Sequence, residues 1–416
     1  MAVPNNILQT VQTYQMSGLA YLQNLNCFIG TANTKFKDFE KMAANLGDTV
    51  TFDLPPRFTT TASLVANFQA ADQRVQNLTV NQQISVSYAF TAQQFIFNVE
   101  DYMKRFGKSA SEELSAKVEA NVALNCITQP YRFYGDGVTP INSYNQLAQA
   151  LAQFRNYGSA KGMAKGYLQD TAIPAIVGSG LNQFAMDRND VIANSWELGE
   201  FSRCEWYTSN LLPVQMAGTA GNEALTLTVV STTLDSAGAV TAITFSISGS
   251  PGSDTEMVQL NDSFQFNDGV SGQTNLRYLT FVGHQISAVP VQFRATAKAG
   301  STGGSQVTVP IYPALQVNAT NAQNINAAIV VGMQCSVLPN HRAGMITAGD
   351  PLYIAMPALP EEVPYPTANQ YDKDTGVAFR QYFGSVFGQN TRGMIHDCIW
   401  GSTAVPEYTM KLVFPL

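Results

Sequence analysis

The sequence predicts an α+β protein with a small all-β barrel or sandwich inserted into it. Three observations lead there. Between residues 214 and 318, strand-like alternation recurs at Leu225/Leu227/Val229, Ile243/Phe245/Ile247, Phe264/Phe266, Val289/Val291/Phe293 and Val307/Val309/Ile311. Sequence of mixed helical and strand period flanks this block on both sides, so the block reads as an insertion. Charged residues make up only 13% of the 416-residue chain, about half the share of roughly 25% usual in soluble domains. The surface is therefore covered by Asn, Gln, Ser and Thr, which suits a protein buried largely against copies of itself and equally suits many secreted all-β proteins.

Taken in order, residues 1–47 read as a polar arm. Ile7, Val11, Tyr14, Leu19 and Leu22 follow a helical spacing, and a second short pattern runs through Phe36, Phe39 and Met42 before Gly47. In residues 48–90 the period changes: Val50/Phe52/Leu54 and Ile84/Val86/Tyr88/Phe90 alternate as strands, separated by a long polar stretch opened by Pro55-Pro56. Such an excursion is uncommon inside a compact domain and usually functional. Residues 91–139 hold a helical stretch over 92–106 and then the clearest helix. There Ser109 and Glu112 make a capping-box pattern, Leu114, Val118, Val122 and Asn125 follow, Glu113 and Lys117 pair, and Pro130 lies beyond the end.

Residues 140–213 look mixed. INSYNQLAQALAQF reads as a helix capped by Asn142 or Ser143, TAIPAIVG as a buried strand, and 181–186 as a second helical stretch. Turn residues at 235–238, 249–252, 267–269 and 300–304 punctuate the β block that follows. Residues 319–400 return to mixed structure with PLYIAMPAL and GMIHDCIWG as strands. In 401–416, Tyr408, Met410, Leu412 and Phe414 alternate in a strand that closes a sheet begun earlier.

The formal net charge is −7, without the basic footprint that displaces counterions from phosphates, so the chain does not read as a gripper of nucleic acid. Cys27, Cys126, Cys204, Cys335 and Cys398 are odd in number and widely spaced, which predicts reduced thiols. The opening MAVPNNILQT lacks the regions of a signal peptide, and no apolar run is long enough to span a bilayer; the expectation is synthesis in the cytoplasm.

The search for chemistry finds mostly absences, and the expectation is a protein without catalytic, cofactor or metal sites. Gly107-Lys108-Ser109 resembles the end of a phosphate loop, but Tyr102 stands where the first glycine belongs. No serine sits in a nucleophile elbow. Of the three histidines, only His396 has chemical company, in His396-Asp397-Cys398, which reads as a partly buried strand rather than a metal or thiol site. Asn261-Asp262 and Asn267-Asp268-Gly269 read as turns rather than a calcium loop. Glu361-Glu362 reads as a solvated loop, and Trp196, Phe201, Trp206 and Tyr207 as packing between domains rather than a ligand shelf.

Several stretches carry a resemblance over nearly the whole chain. DYMKRFGKSASEELSAKVEANVALN (101–125), GEFSRCEWYTSNLLPV (199–214), AGDPLYIAMPAL and MIHDCIWGSTAVPEYTMKLVFPL resemble, in this order, parts of tailed-bacteriophage major capsid (coat) proteins of the Hong Kong phage fold. The inserted β-domain resembles that of the short-tailed (podovirus) type. The resemblance implies an N-terminal arm (1–47), an extended loop or E-loop (48–90), a spine helix with peripheral domain (91–139), an axial domain in two parts (140–213 and 319–400) around the insertion (214–318), and a closing peripheral strand (401–416).

It also implies self-assembly as pentamers and hexamers into an icosahedral virion shell. That shell is built in the host cytoplasm with a scaffolding protein and a portal ring, and encloses double-stranded DNA without sequence-specific binding. In that frame Arg57 and Arg74 are candidates for pairing with a neighbouring subunit's carboxylates, and Lys35, Lys37 and Lys41 for meeting scaffold or DNA. An ordinary solvated helix face explains the three lysines as well. Residues 48–90 contain no lysine, so a lysine–asparagine weld from the E-loop is not expected. The insertion holds six acids against three basic residues, which suits an outward or lateral position. The rival readings are an encapsulin-type nanocompartment shell, a secreted adhesin or carbohydrate-binding β-protein, and a hydrolase with an unrecognised site.

Overall fold

The predicted long helix forms over Lys108–Thr128 in the structure, a computed structural model. Described are residues 27–34, 49–54, 56–58, 68, 74–91, 108–158, 162–181, 199–248, 254–270, 273–301, 305–318, 322–361, 367–372, 377–385 and 391–416. The helical patterns expected at 7–22, 36–42, 92–106 and 182–186 lie outside them, as do Lys35, Lys37, Lys41, Trp196 and Glu362. The chain divides into two compact units. One comprises Met1–Phe52, Val75–Cys126 and Leu352–Ala404; the other comprises Asp53–Arg74, Ile127–Pro351 and Val405–Leu416.

In the first unit the long helix buries Ala110, Leu114, Val118, Val122 and Cys126, a four-residue period that keeps one stripe inside. Lys108 is already helical, so Ser109 lies within the helix instead of capping it. The strand Gln82–Thr91 alternates half-buried Ile84, Val86 and Tyr88 with exposed Ser85, Ser87 and Ala89. It pairs antiparallel with Thr391–Ala404 without a register shift, and Val377–Ser385 and Thr367–Asp372 extend the same sheet. Leu352–Ala355 pairs with the far end of Thr391–Ala404.

The excursion is closed by a strand that its alternation does not show. Thr49–Leu54 pairs with Arg74–Thr79 and not with the more apolar Gln82–Thr91. The sequence RVQNLT hides this strand because only Leu78 is buried in it.

The second unit is built on a seven-stranded sheet in the order Phe133–Tyr134, Thr409–Phe414, His341–Ala348, Ala164–Gln169, Cys204–Ser209 and Gly199–Phe201, with Val214–Gln215 also paired to His341–Ala348. The helix Tyr144–Asn156 buries Leu147, Ala150, Leu151 and Phe154 in the core it shares with this sheet. Ser143 is its cap, accepting from the amide of Gln146 at 3.3 Å. TAIPAIVG is not a strand. It turns through the helical segments Asp170–Ala172, Ile173–Ile176 and Val177–Leu181. Pro174 fits a helix start, and Ile173 and Ile176 are buried one turn apart while Ala175 is exposed. The strand lies just ahead, at Ala164–Gln169, where Gly166 leaves room for the Trp206 ring against the backbone.

Between Val214–Gln215 and His341–Ala348 the chain makes a closed six-stranded barrel: Val240–Ile247, Gln306–Leu315, Gln292–Ala295, Ser263–Phe266, Gln334–Val337 and Leu227–Leu234. The predicted inward positions are inward. Ile243, Phe245, Phe264, Val291, Phe293 and Val309 are each 0% exposed, and the parallel rings of Phe264 and Phe293 stand 5.0 Å apart. Each such phenylalanine contributes roughly 1.5–3 kcal/mol by leaving water. Closure leaves the barrel no open edge. Its sixth strand, Gln334–Val337, lies beyond residue 318, where the alternation was expected to end; four residues are too few to show a period. Two of the expected turns form: Asp235 accepts from the amides of Ala237 and Ala239 ahead of left-handed Gly238, and Gly269 is left-handed too. The turn expected at 249–252 lies outside the described residues, and residues 300 and 301 belong to the strand Ala299–Ser301.

Candidate functional site

The chemistry-bearing residues gather where the barrel leaves and rejoins its sheet. The two crossing points are neighbours, because Gln215 and His341 face each other in register. The last strand, Thr409–Phe414, runs beside them, and all six of its residues are buried. Lys411 is one of them, at 0% exposure. Its Nζ donates to Gln215 Oε1 at 2.6 Å and to Ser263 Oγ at 3.0 Å, so one side chain ties the sheet to both the crossing and a barrel strand.

Asp262 is buried beside it and accepts from the amides of Gly218 at 3.0 Å and Gln259 at 2.8 Å. Asp262 is therefore more than the turn residue the sequence indicated. Its carboxyl is pushed up to about 6 by burial. Burial lowers the Lys411 ammonium to about 7, and it lowers His341 to about 4, with the nearby Lys411 charge acting in the same direction on the imidazole.

A second cluster in the same unit holds the ends of the excursion. The Arg57 guanidinium stands 4.3 Å above the Phe281 ring and donates to Tyr157 Oη at 3.4 Å. Arg74 lies 6.0 Å from the same ring and pairs with the buried carboxylate of Glu407. Arg132, 2% exposed, donates to the carbonyls of Glu407 and Thr409 and lies 4.1 Å above Tyr157. Tyr131 and Tyr157 share a hydrogen bond of 3.0 Å, and burial pushes the Tyr131 and Tyr278 phenols well up. The two arginines singled out in the sequence thus meet at one ring and hold partners inside their own chain.

His396-Asp397-Cys398, in the first unit, is a buried strand and offers no reagent. Asp397 takes a two-point ion pair from Arg380 (2.9 and 2.5 Å), directly across the register, and Arg380 also donates to the Pro360 carbonyl. His396 Nε2 is 3.1 Å from Tyr88 Oη, and burial lowers the imidazole to about 4. Burial pushes the Cys398 thiol up to about 12, with Asp397 adding to it, and Cys126 is raised likewise. None of the five cysteines forms a disulfide. No group of His, Cys, Asp and Glu among the described residues could hold a metal ion.

Other motifs fall into packing. Trp206 is buried in the sheet core, and Tyr207 stacks on Tyr167 with ring centroids 5.7 Å apart. Asp268 is paired with Arg277 and Glu361 is exposed. A cavity of about 10 Å³ beside Phe266, Gln273 and Met333 has room for about one water.

Sequence reasoning missed Lys411, Arg132, Glu407 and Glu119. Lys411 carried a legible signal, a lysine with apolar residues on both faces of its strand: Met410, Leu412 and Val413. Glu119 had a similar one, next to Val118 in the helix's apolar stripe.

No protein-family model matches the chain, and no curated protein matches it. Solved structures do. A structure from Mycobacterium phage Che8 is 8% identical over 93% of this chain and 90% of its own, with a TM-score of 0.47. The capsid structure of the Cyanophage P-SCSP1u is 10% identical over 88% of this chain and 84% of its own, with a TM-score of 0.42. A virus-like particle from Pyrococcus furiosus is 6% identical over 88% of this chain and 86% of its own, at 0.36. These matches span most of the chain, at identities of 10% or less and TM-scores below 0.5.

Proposed function

We propose that the chain is the major capsid protein of a tailed bacteriophage, self-assembling as pentamers and hexamers into an icosahedral shell around double-stranded DNA. One observation carries the reading: the order of parts along the chain. A paired excursion, a 21-residue helix with one stripe buried and a seven-stranded sheet closed by the last strand follow one another, with a barrel inserted between two paired strands of that sheet. That order supports an E-loop, a spine, an axial domain and an insertion, parts the sequence resemblance named. A surface poor in charge fits tiling against copies, and the role asks for no catalysis.

In this reading the excursion reaches a neighbouring subunit, with Arg57 and Arg74 at its stem, while Lys35, Lys37 and Lys41 face scaffold or DNA. A scaffolding protein and a portal ring are the partners, and the host cytoplasm is the place of assembly. Negative-stain electron microscopy of the expressed chain, alone and with a candidate scaffolding protein, tests it. Uniform polyhedral shells that need the scaffold support a virus. Shells that close alone around cargo enzymes favour a nanocompartment, and a lasting monomer under both conditions removes both.

A further inference from the structure

The long helix carries one acid within its buried stripe. Glu119 is 1% exposed, and no cation pairs with it among the described residues. Its oxygens accept instead from backbone: Phe28 N donates to Oε1 at 2.7 Å and Ile29 N to Oε2 at 3.3 Å, with Cys27 hydrogen-bonded to the carboxyl as well. These amides belong to the first described turn of the helix Cys27–Thr31. Phe28 is 0% exposed. Further along, Asn33 lies parallel to Leu352–Ala355, donating to Leu352 O at 2.8 Å and accepting from Ile354 N at 3.3 Å.

We propose that residues 27–34 form a detachable strap and that Glu119 is the residue that latches it to the long helix. The argument weighs two opposing effects. Charge-assisted hydrogen bonds from the amides favour the seated segment. Keeping an anion out of water without a cation opposes it, and the net effect of burial over the amide bonds is to push the carboxyl up from its ordinary value. When the segment lifts, both the carboxylate and the amides regain water, so opening costs much less than unfolding the unit. The carboxylate also fixes register, because only the first amides of Cys27–Thr31 point at it.

Amide hydrogen exchange on the full chain tests the strap. In Glu119→Ala, exchange at residues 27–31 should accelerate at least about tenfold, the loss expected for hydrogen bonds to a charged group. Thr391–Ala404, in the same unit, should keep its protection. Phe28→Ala weakens the seat from the strap's own side and should give the same local pattern, which decides the matter should Glu119→Ala fail to fold. Unchanged exchange at 27–31 in both variants overturns the proposal. So does an equal loss of protection across the strap and Thr391–Ala404, since Glu119 would then be an ordinary part of the unit's core.

Discussion

Replacing Lys411 by methionine removes a buried ammonium while keeping a side chain of similar volume. The Lys411 ammonium falls from 10.5 to about 7 on burial. Between those values the unfolded chain holds a proton that the folded chain has released, so wild-type stability rises with pH across the window. At about 1.4 kcal/mol per pH unit, the buried group costs roughly 5 kcal/mol at neutral pH relative to its uncharged form. Methionine abolishes that cost but leaves Gln215 Oε1 and Ser263 Oγ without their donor, a loss of about 2 kcal/mol. The variant is therefore expected to be more stable than wild type at pH 7 by about 3 kcal/mol, and less stable above about pH 9. Urea unfolding from pH 7 to 9.5, followed by a probe in the second unit, measures the difference between the two proteins, in which all other titrations cancel. Stability curves that stay parallel over this range would refute the placement of Lys411 as a buried, titrating group.

Three further predictions rest on buried charges. Asp262, raised from 3.8 to about 6, binds a proton in the folded state first, so its contribution falls as pH rises through that window. His341, lowered from 6.5 to about 4, works the opposite way. Asp262→Asn should therefore steepen the rise of stability between pH 4 and 6, and His341→Gln should flatten or reverse it; pH-resolved urea midpoints check both signs. In the first unit, Asp397→Asn leaves the Arg380 guanidinium buried beside a neutral amide and should cost roughly 3–5 kcal/mol. A double replacement of Arg380 and Asp397 by apolar residues should recover most of it. Fluorescence of Trp400, buried in the same unit, reports the transition.

The barrel was legible in the sequence because its strands bury one face and expose the other, so Ile243/Phe245/Ile247 and Val307/Val309/Ile311 declare themselves by period. Strands without that asymmetry were less legible. Arg74–Thr79 is so polar that its pairing with Thr49–Leu54 left no trace, and although Thr409–Phe414 reads as a strand, reading its alternate residues alone passes over Lys411 on the other buried face. TAIPAIVG misled because its β-branched content outweighed, on inspection, a helix-compatible Pro174 and the one-turn spacing of Ile173 and Ile176. The arginines of the excursion were found by type, but their partners were not. Phe281, Tyr157 and Glu407 are more than 80 residues away in sequence, and only the closed fold brings them together.

The shell itself remains the central claim, and the mass of the particles formed by the full chain with a scaffolding protein tests it most directly. Closed particles of narrow mass distribution, at an icosahedral multiple of the 45.0 kDa chain, are the predicted result. A single species that stays at 45.0 kDa over the concentration range of assembly would contradict it.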